Sequence, residues 1–252
     1  MTIIEWRAGD LSVLALNDAT SVYDRPQREI FPGATEAEWR GAGDEPWHLD
    51  FRCFLVRDGG RVMLVDTGLG PSSDWSPEPG RLPELLAEAG VSPGDVTAVL
   101  LTHLHTDHIG WAVVDGVPMF PAAEYLLQRA EFDAVREHYP WLPETLTGPL
   151  LERDRLRLLD GRTGLWGPVT ALPTPGHTPG HQSVLISSGL SRDADLVLTG
   201  DVLQHAVQLV NPAIGYDHDA DPELARATRA ALLARGGVFG ASHLTEAFVR
   251  VR

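Results

Sequence analysis

Short apolar runs alternate along the chain with segments of helical spacing. In the first half, strands are predicted at Leu11–Leu16, Phe51–Val56, Arg61–Val65, Val96–Leu101 and Glu124–Leu127. The turn signal Asp58-Gly59-Gly60 joins two of these runs and predicts a hairpin. Helices are predicted at Arg81–Ala89, which stops at Gly90, and near Arg129–His138.

The second half of the chain continues in the same style. Strands are predicted at Val169–Leu172, Ser183–Ser187, Leu196–Leu198 and Val238–Gly240. Pro222–Arg235 reads as a helix, with Asp221 as its cap and Gly236-Gly237 as its end. These elements predict a layered α/β fold with two sheets and helices outside them. Since no linker or charge block divides the sequence, residues 1–252 are expected to form a single domain.

Two segments break the pattern of strands and helices. Tyr23–His48 is rich in proline and glycine and carries Trp39 and Trp47, while Ser72–Gly80 contains Trp75. Long irregular segments in a compact domain are often functional loops, so both are interpreted as candidate functional loops.

Composition narrows the choice of partners. The net charge is −15, from 20 basic and 35 acidic residues, which argues against nucleic acid and anionic membranes and leaves a small-molecule substrate. The single cysteine, Cys53, excludes an intramolecular disulfide. The start of the sequence has no basic, apolar leader, and no segment reaches transmembrane length, so a cytoplasmic protein is expected. A homodimer is left open.

The most informative segment is a dense run of metal-binding residue types after a predicted buried strand. It reads Leu101-Thr102-His103-Leu104-His105-Thr106-Asp107-His108. Alternate side chains of an extended segment point to the same side, so His103 and His105 can hold one ion together. Asp107 and His108 follow where a helix should begin, and their side chains diverge toward a second ion. Imidazole and carboxylate suit zinc, iron, manganese or cobalt.

The His-x-His-x-Asp-His run resembles that of the metallo-β-lactamase-fold hydrolases, and further parts of that pattern follow in order. These parts are Leu64–Gly68, which ends in Asp-Thr-Gly, the loop Thr174–His181, Thr199–Asp201 and Gly240–His243. The resemblance implies an α/β fold of four layers, an αββα sandwich, with a dinuclear metal site at one edge of the two sheets.

The resemblance also implies how the ligands divide. The first ion would be held by His103, His105 and His177, the second by Asp107, His108 and His243, and Asp201 would bridge both. Two divalent metal ions are therefore expected as cofactors, with zinc ahead of manganese, iron or cobalt. Each candidate follows an apolar run beside a turn, which agrees with ligands presented on strand-end loops.

Three further residues could support these ligands or compete with them. Asp66 keeps two interpretations, a carboxylate that caps the turn and an acceptor that orients a ligand histidine. His181 follows His177 by four residues and could compete for the metal; the family pattern favours His177 and leaves His181 to fix the loop. His205 follows Asp201 by four residues and could face a pocket. It is otherwise grouped with the remaining surface or loop histidines, His48, His138 and His218.

Hydrolysis is the predicted reaction. Two neighbouring ions lower the pKa of a shared water toward about 7 and polarise a carbonyl or phosphoryl oxygen, so the expected nucleophile is a metal-bound hydroxide. Asp107 and Asp201 are the predicted catalytic carboxylates, and Asp107 could orient the nucleophile. The sequence contains no Gly-x-Ser-x-Gly element, so a serine nucleophile is not indicated.

The substrate is expected to be a small, largely apolar ester or lactone. Tryptophans in predicted loops indicate an apolar pocket; they are Trp39, Trp47, Trp75, Trp111, Trp141 and Trp166. The histidine-containing loop and the chain length resemble the acyl-homoserine lactonase and methyl-parathion-hydrolase-like branch. Those lactonases commonly carry a tyrosine three positions after the bridging carboxylate, where this chain has Gln204. This difference argues against quorum-signal lactones as the substrate.

The same sequence is compatible with other activities. A phosphotriesterase or a thioesterase could use the same ligands. A mononuclear iron dioxygenase of the persulfide type uses fewer ligands than this chain offers. Non-catalytic relatives usually lose ligands, whereas this chain has the full set.

Overall fold

The structure of the protein is a computed structural model that describes residues 3–23, 25–43 and 47–251. Within these residues the strands are β1 Ile4–Ala8, β2 Leu11–Val22, β3 His48–Asp58, β4 Arg61–Val65, β5 Ala98–Leu100, β6 Val113–Val114, β7 Val117–Pro118, β8 Glu124–Gln128, β9 Leu156–Leu159, β10 Thr163–Trp166, β11 Val169–Pro173, β12 Gln182–Ile186, β13 Leu196–Leu198, β14 Gly237–Gly240 and β15 Phe248–Val251.

The α-helices are α1 Gln27–Ile30, α2 Glu36–Ala42, α3 Leu82–Glu88, α4 Thr106–Ile109, α5 Arg129–His138, α6 Gly148–Glu152, α7 Val207–Val210 and α8 Pro222–Leu233. Single turns of other helix types occur at Pro93–Asp95, Pro143–Thr147, Arg192–Ala194 and Gly200–Val202. Within the described residues, no helix combines the length and the apolar character needed to cross a membrane.

The chain divides into two compact units, each with its own sheet. The first unit comprises Met1–Ala19 and Phe51–Gly161, and the second comprises Thr20–Asp50 and Arg162–Arg252. In the described part of the chain, the larger sheet has the strand order β1-β2-β3-β4-β5-β8-β9 and the smaller has the order β10-β11-β12-β13-β14-β15. The predicted α/β class with two sheets is confirmed.

In the first unit, the predicted hairpin forms between β3 and β4. Gly59 and Gly60 have positive φ values of 53° and 87°, which a tight hairpin turn requires and which glycine adopts without strain. From β4 onward the sheet is parallel through β5, β8 and β9. The carboxyl ends of β4 and β5 therefore meet at one edge, where the backbone N–H of Asp66 donates to the carbonyl of Leu100 at 2.9 Å.

The core of the first unit fixes that edge in place. Leu55, Leu64, Val99 and Leu101 are fully buried and pack in one cluster with the apolar face of α3. The bounds of α3, Leu82–Glu88, lie within the predicted helix Arg81–Ala89.

The smaller sheet brings three chain segments to one edge. β13 and β14 are parallel, with Leu198 opposite Gly240, so their carboxyl ends meet. β12 runs antiparallel to both β11 and β13, which places the β11–β12 loop at that same edge. The predicted helix after Asp221 is confirmed as α8, and the Asp221 side chain accepts the backbone N–H of Leu224.

The segment Tyr23–His48 is more regular than the sequence predicted. Its described residues include α1 and α2. β2 ends at Val22, directly before the segment, and β3 begins at His48. Thr35 and Glu38 form a reciprocal capping box at the start of α2, and Trp39 on that helix is 1% exposed. Asp24, Asp44, Glu45 and Pro46, within the predicted loop, lie outside the described residues. Ser72–Gly80 remains irregular, as predicted, apart from a bridge between Ser73 and Ser76.

Candidate metal centre

Two histidines follow the buried end of β5 in the first unit. The Nε2 of His103 lies 2.9 Å from the Nδ1 of His105. The Thr102 hydroxyl donates to Asp66, so it accepts the Nδ1–H of His103 at 3.0 Å. With Nδ1 protonated, the lone pair of His103 is on Nε2 and faces His105. The two histidines therefore lie together, as their alternation in sequence predicts.

Asp66 organises this segment from the end of β4. Its Oδ1 accepts the backbone N–H of Thr102 at 2.7 Å, and its Oδ2 accepts the Thr102 hydroxyl at 2.8 Å and the His108 Nδ1–H at 2.7 Å. Its φ of 62° is left-handed and costs a non-glycine residue about 1 to 2 kcal/mol. Asp66 therefore orients a histidine, as one of its two interpretations expected, and it also binds the backbone of Thr102 after β5.

The short helix α4 carries the next two candidates. Asp107 lies in its first turn, and its Oδ2 is 3.4 Å from the Nε2 of His108. The backbone before α4 is held by Glu131, a buried residue of α5 whose carboxylate accepts the N–H of Leu104 at 3.1 Å. Glu131, which has no signal in the sequence, fixes the His-rich segment at its middle.

The second unit places one carboxylate between two histidines. The Oδ2 of Asp201 is 3.3 Å from the Nε2 of His177, and its Oδ1 is 3.1 Å from the Nε2 of His243. All three side chains are buried. The two oxygens face two different rings, which is the arrangement that a bridging carboxylate needs.

His177 is also held at its other nitrogen. Its Nδ1 lies 3.1 Å from Oδ1 of Asp219, whose Oδ2 pairs with the buried Arg229 at 3.4 Å. Burial by itself lowers the pKa of His177, but the carboxylates of Asp201 and Asp219 together outweigh it and raise that pKa to about 9. Asp219, like Glu131, was not predicted from the sequence.

His243 is positioned by the backbone. Its Nδ1 lies 2.7 Å from the carbonyl oxygen of Asp50. Because a carbonyl only accepts, the proton of the neutral ring is on Nδ1, and the Nε2 lone pair faces Asp201. The tautomer of His243 is thus fixed by the fold.

His181 has the supporting position expected of it. Its Nε2 accepts the backbone N–H of Asp201 at 3.0 Å, so its protonated Nδ1 donates to the Thr174 hydroxyl at 2.9 Å. Thr174 in turn contacts the Ser183 hydroxyl, which donates to the carbonyl of Thr199. Both ring nitrogens of His181 are occupied in this chain of bonds, which ties the His177 loop to the start of the Asp201 turn.

His205 is buried, which corrects its placement among the surface histidines. It is 8% exposed because Phe31, Trp39 and Trp47 pack around its ring, with centroids 5.2 to 5.8 Å away. Gln204 beside it is also buried, and its backbone N–H is bound by the side chain of Gln208. The other histidines of that group, His48 and His218, are exposed as expected, and the side chain of His138 lies outside the described residues.

The donor chemistry of the two units fits divalent cations. In His108, His177 and His243 an acceptor holds the Nδ1–H, while the Nε2 lone pair faces a carboxylate oxygen. The three Nε2–oxygen distances are 3.4, 3.3 and 3.1 Å. Two lone pairs repel at such distances unless a proton or a metal ion binds at Nε2. Imidazoles backed by an acceptor, together with carboxylates, are ligands for zinc and related ions.

Comparison with known proteins identifies the family of the chain. The sequence model described as the Metallo-beta-lactamase superfamily matches residues 52–238. A curated relative, an N-acyl homoserine lactonase from Bacillus sp, is 27% identical over 184 residues, which cover 66% of this chain and 70% of the relative.

Two solved structures share the fold over nearly the whole chain. The hydrolase AbOPH of the beta lactamase superfamily aligns with a TM-score of 0.82, and AidC, a dizinc quorum-quenching lactonase, aligns with a TM-score of 0.81. Each is 24% identical, and each alignment covers 98% of this chain and 92% of the other.

Proposed function

From the premise that the chain belongs to the metallo-β-lactamase superfamily of metal-dependent hydrolases and has its fold, we propose that it hydrolyses the ester or lactone bond of a small, largely apolar substrate with the help of two divalent metal ions. Zinc is the first candidate, and manganese, iron and cobalt are the alternatives. The proposed ligands are His103, His105, Asp107, His108, His177, Asp201 and His243.

The observation that carries the proposal is the position of Asp201. Each of its carboxylate oxygens faces the Nε2 of a different histidine, at 3.3 and 3.1 Å. The Nδ1 sides of both rings are already engaged, by Asp219 and by the carbonyl of Asp50. This supports a role for Asp201 as the carboxylate shared by two ions.

The proposed chemistry divides between the ions and the chain. Bound divalent ions lower the pKa of a coordinated water toward about 7 and draw electron density from a substrate carbonyl. Asp107, in the first turn of α4 and half-buried, is proposed to accept a hydrogen bond from the attacking water and orient it. Asp66 and Asp219 hold histidines in the tautomer that leaves Nε2 available.

A cavity next to a proposed ligand supports a largely apolar substrate. The first unit has a cavity of about 600 Å³ whose wall is mixed, with Trp75 and Trp141 beside Ser73 and Asp74. In the second unit, a cavity of about 630 Å³ includes His243 in its wall. The acyl homoserine lactonase among the relatives favours lactones, while Gln204 at the position of the usual tyrosine keeps simple esters in the proposal.

A substrate panel on zinc-loaded protein tests the proposal. We expect the highest kcat/KM on lactones or carboxylic esters, at least about 100-fold above thioesters and phosphotriesters of similar size. The Asp201→Asn variant, purified in parallel, controls for contaminating hydrolases. A preference for phosphotriesters or thioesters would replace the proposed reaction with that one. Oxygen consumption by iron-loaded protein, without ester cleavage, would instead identify the dioxygenase.

A further inference from the structure

One buried carboxylate of the first unit is not among the proposed ligands. It belongs to Asp18 on β2, which is fully buried. Its Oδ2 accepts the backbone N–H of Leu69 at 2.7 Å, and its Oδ1 accepts the backbone N–H of Leu82 at 2.6 Å. The Nε1–H of Trp111 donates to the same Oδ1 at 3.2 Å. Burying a carboxylate costs free energy unless hydrogen bonds compensate it, and these three N–H groups do so for Asp18.

Asp18 closes a loop at both of its ends. The two backbone donors lie on either side of residues 70–80, which we call loop 70–80. At the base of this loop the backbone N–H of Gly80 donates to the carbonyl of Gly70 at 2.8 Å. A Cβ added at Gly80 would lie 2.1 Å from Oδ2 of Asp18, so glycine leaves the room that the carboxylate occupies. Compact loops whose ends lie close together are frequently functional.

The body of loop 70–80 has no buried side chains of its own. From Pro71 to Pro79 every residue is exposed or half-buried, and Trp75 is 36% exposed. Local stability depends on buried apolar contacts, so a loop of this kind depends on its ends for a defined shape. Asp18 provides that constraint by binding both ends.

The loop forms part of the wall of the first unit's cavity of about 600 Å³. Trp75 lines this cavity together with Thr106 and Ile109 of α4, the helix that carries two of the proposed ligands. Trp111 follows α4 and donates to the carboxylate that closes the loop. That carboxylate therefore fixes the loop relative to the segment after α4.

We propose that Asp18 is a positioning residue for substrate binding. By closing loop 70–80 it holds Trp75 in the cavity wall, and so determines how tightly the part of the substrate beside the hydrolysed bond is bound. Asp18 acts through the loop and does not contact the substrate. This inference rests on the proposed function, because it assigns a determinant of substrate affinity to the same site.

Asp18→Asn tests this role, because it keeps the size of the side chain but leaves one acceptor oxygen for the two ends of the loop. With phenyl butyrate as substrate, we expect KM to rise about 10-fold, while kcat stays within about twofold of wild type. Zinc content should be unchanged. A rise in KM at constant kcat reports a loss of binding rather than of chemistry. Amide hydrogen exchange in residues 69–82 should become about 10-fold faster, and exchange in α8 should stay the same.

Asp195→Asn is the matched control for loss of stability. Asp195 is a buried carboxylate of the second unit that accepts the backbone N–H of Ser188 at 2.8 Å and pairs with Arg235. It is absent from the linings of the two cavities described above. Asp195→Asn should lower the melting temperature and leave KM unchanged. If it raises KM as much as Asp18→Asn does, the effect comes from stability alone and the inference is wrong.

Trp111→Phe is a milder change for the case that Asp18→Asn does not fold. It removes one donor to the carboxylate and leaves the carboxylate in place. We expect KM to rise about threefold at constant kcat and zinc content. A wild-type KM in Asp18→Asn, or in Trp111→Phe where only that variant folds, would overturn the inference.

A binding measurement keeps this inference distinct from the proposed function. Calorimetry with butyranilide, the amide analogue of phenyl butyrate, reports binding without ester cleavage. If wild type cleaves no ester but binds butyranilide about 10-fold more tightly than Asp18→Asn does, the proposed function fails and the inference stands. If the two proteins bind butyranilide equally, or neither binds it, the inference fails, whatever the enzyme hydrolyses.

Discussion

At the residue scale, the candidate site depends on the second nitrogen of each histidine. His108 donates from Nδ1 to Asp66, His177 faces Asp219, and His243 donates to the carbonyl of Asp50. These contacts fix which nitrogen carries the proton and which way the ring points. Acceptors of this kind typically raise metal affinity by 10- to 100-fold. The proposed ligand histidines are therefore oriented by the fold.

The two histidines of the doubled Pro-Gly-His loop should behave differently. His177→Ala removes an Nε2 that faces Asp201, so we expect loss of metal and of activity. His181→Ala removes hydrogen bonds to the backbone of Asp201 and to the Thr174 hydroxyl, so it should keep its metal and lose about 10- to 100-fold in turnover. Metal analysis and kinetics on the two variants side by side check this. If His181→Ala lost its metal and His177→Ala kept it, the ligand would be His181 and the assignment of His177 would be wrong.

The raised pKa of His177 gives metal binding a pH dependence. With a pKa of about 9 the metal-free ring carries a proton at pH 7, and an incoming ion must displace it. Affinity for zinc should therefore rise by about tenfold per pH unit between pH 7 and 8 and flatten above pH 9. Competition with a chromophoric chelator measures this. Asp219→Asn removes one of the carboxylates that raise the pKa of His177, so the zinc affinity of this variant should depend less steeply on pH. An equally steep dependence would show that the displaced proton comes from another group.

The candidate ligands could be proposed from the sequence because their residue types are dense there. Their partners were not, since they carry no local signature. Asp219 is 42 residues from His177, and the acceptor for His243 is a backbone carbonyl 193 residues away. Only the folded chain brings such groups together.

At the element scale, strand direction determines which loops meet. β4 and β5 are parallel, and so are β13 and β14, so in each unit two carboxyl ends lie at one edge. The apolar runs predicted most of the buried strands to within a few residues. The edge strands β1 and β15 are half-exposed and lack a continuous apolar run, which explains why they were missed. For α2, the Thr-x-x-Glu capping signal was present in the sequence but its flanking prolines and glycines suggested a loop.

Gly110, at the end of α4, lies against the backbone of Leu69 and Gly70. A Cβ added there would lie 2.1 Å from the backbone carbon of Leu69, which no side-chain rotation can relieve. Gly110→Ala should lower the free energy of unfolding by about 2 to 3 kcal/mol and weaken metal binding by displacing Asp107 and His108. Urea unfolding and zinc titration measure both effects.

Gly164→Ala is the matched control for this change. An added Cβ at Gly164 meets no atom within 4 Å, so its effect should stay within about 0.5 kcal/mol. Equal stability of the two variants would contradict the close packing of α4 against the Leu69–Gly70 backbone.

At the scale of the whole molecule, the proposed ions would also affect the stability of the fold. Ions that bind only the folded chain stabilise it by mass action, by about 4 kcal/mol at a free concentration 1,000 times Kd. The excess of acidic residues, 35 against 20 basic ones, is compatible with cationic cofactors and a neutral substrate.

Two ions and a shared carboxylate are proposed to perform the hydrolysis. The most direct test titrates chelator-treated protein with zinc while following lactone or ester hydrolysis, with metal content measured at each point. Activity should rise until two zinc ions are bound per chain, and Asp201→Asn should bind fewer and lose turnover by orders of magnitude. Full activity at one zinc per chain, or full metal content and wild-type turnover in Asp201→Asn, would contradict the dinuclear account.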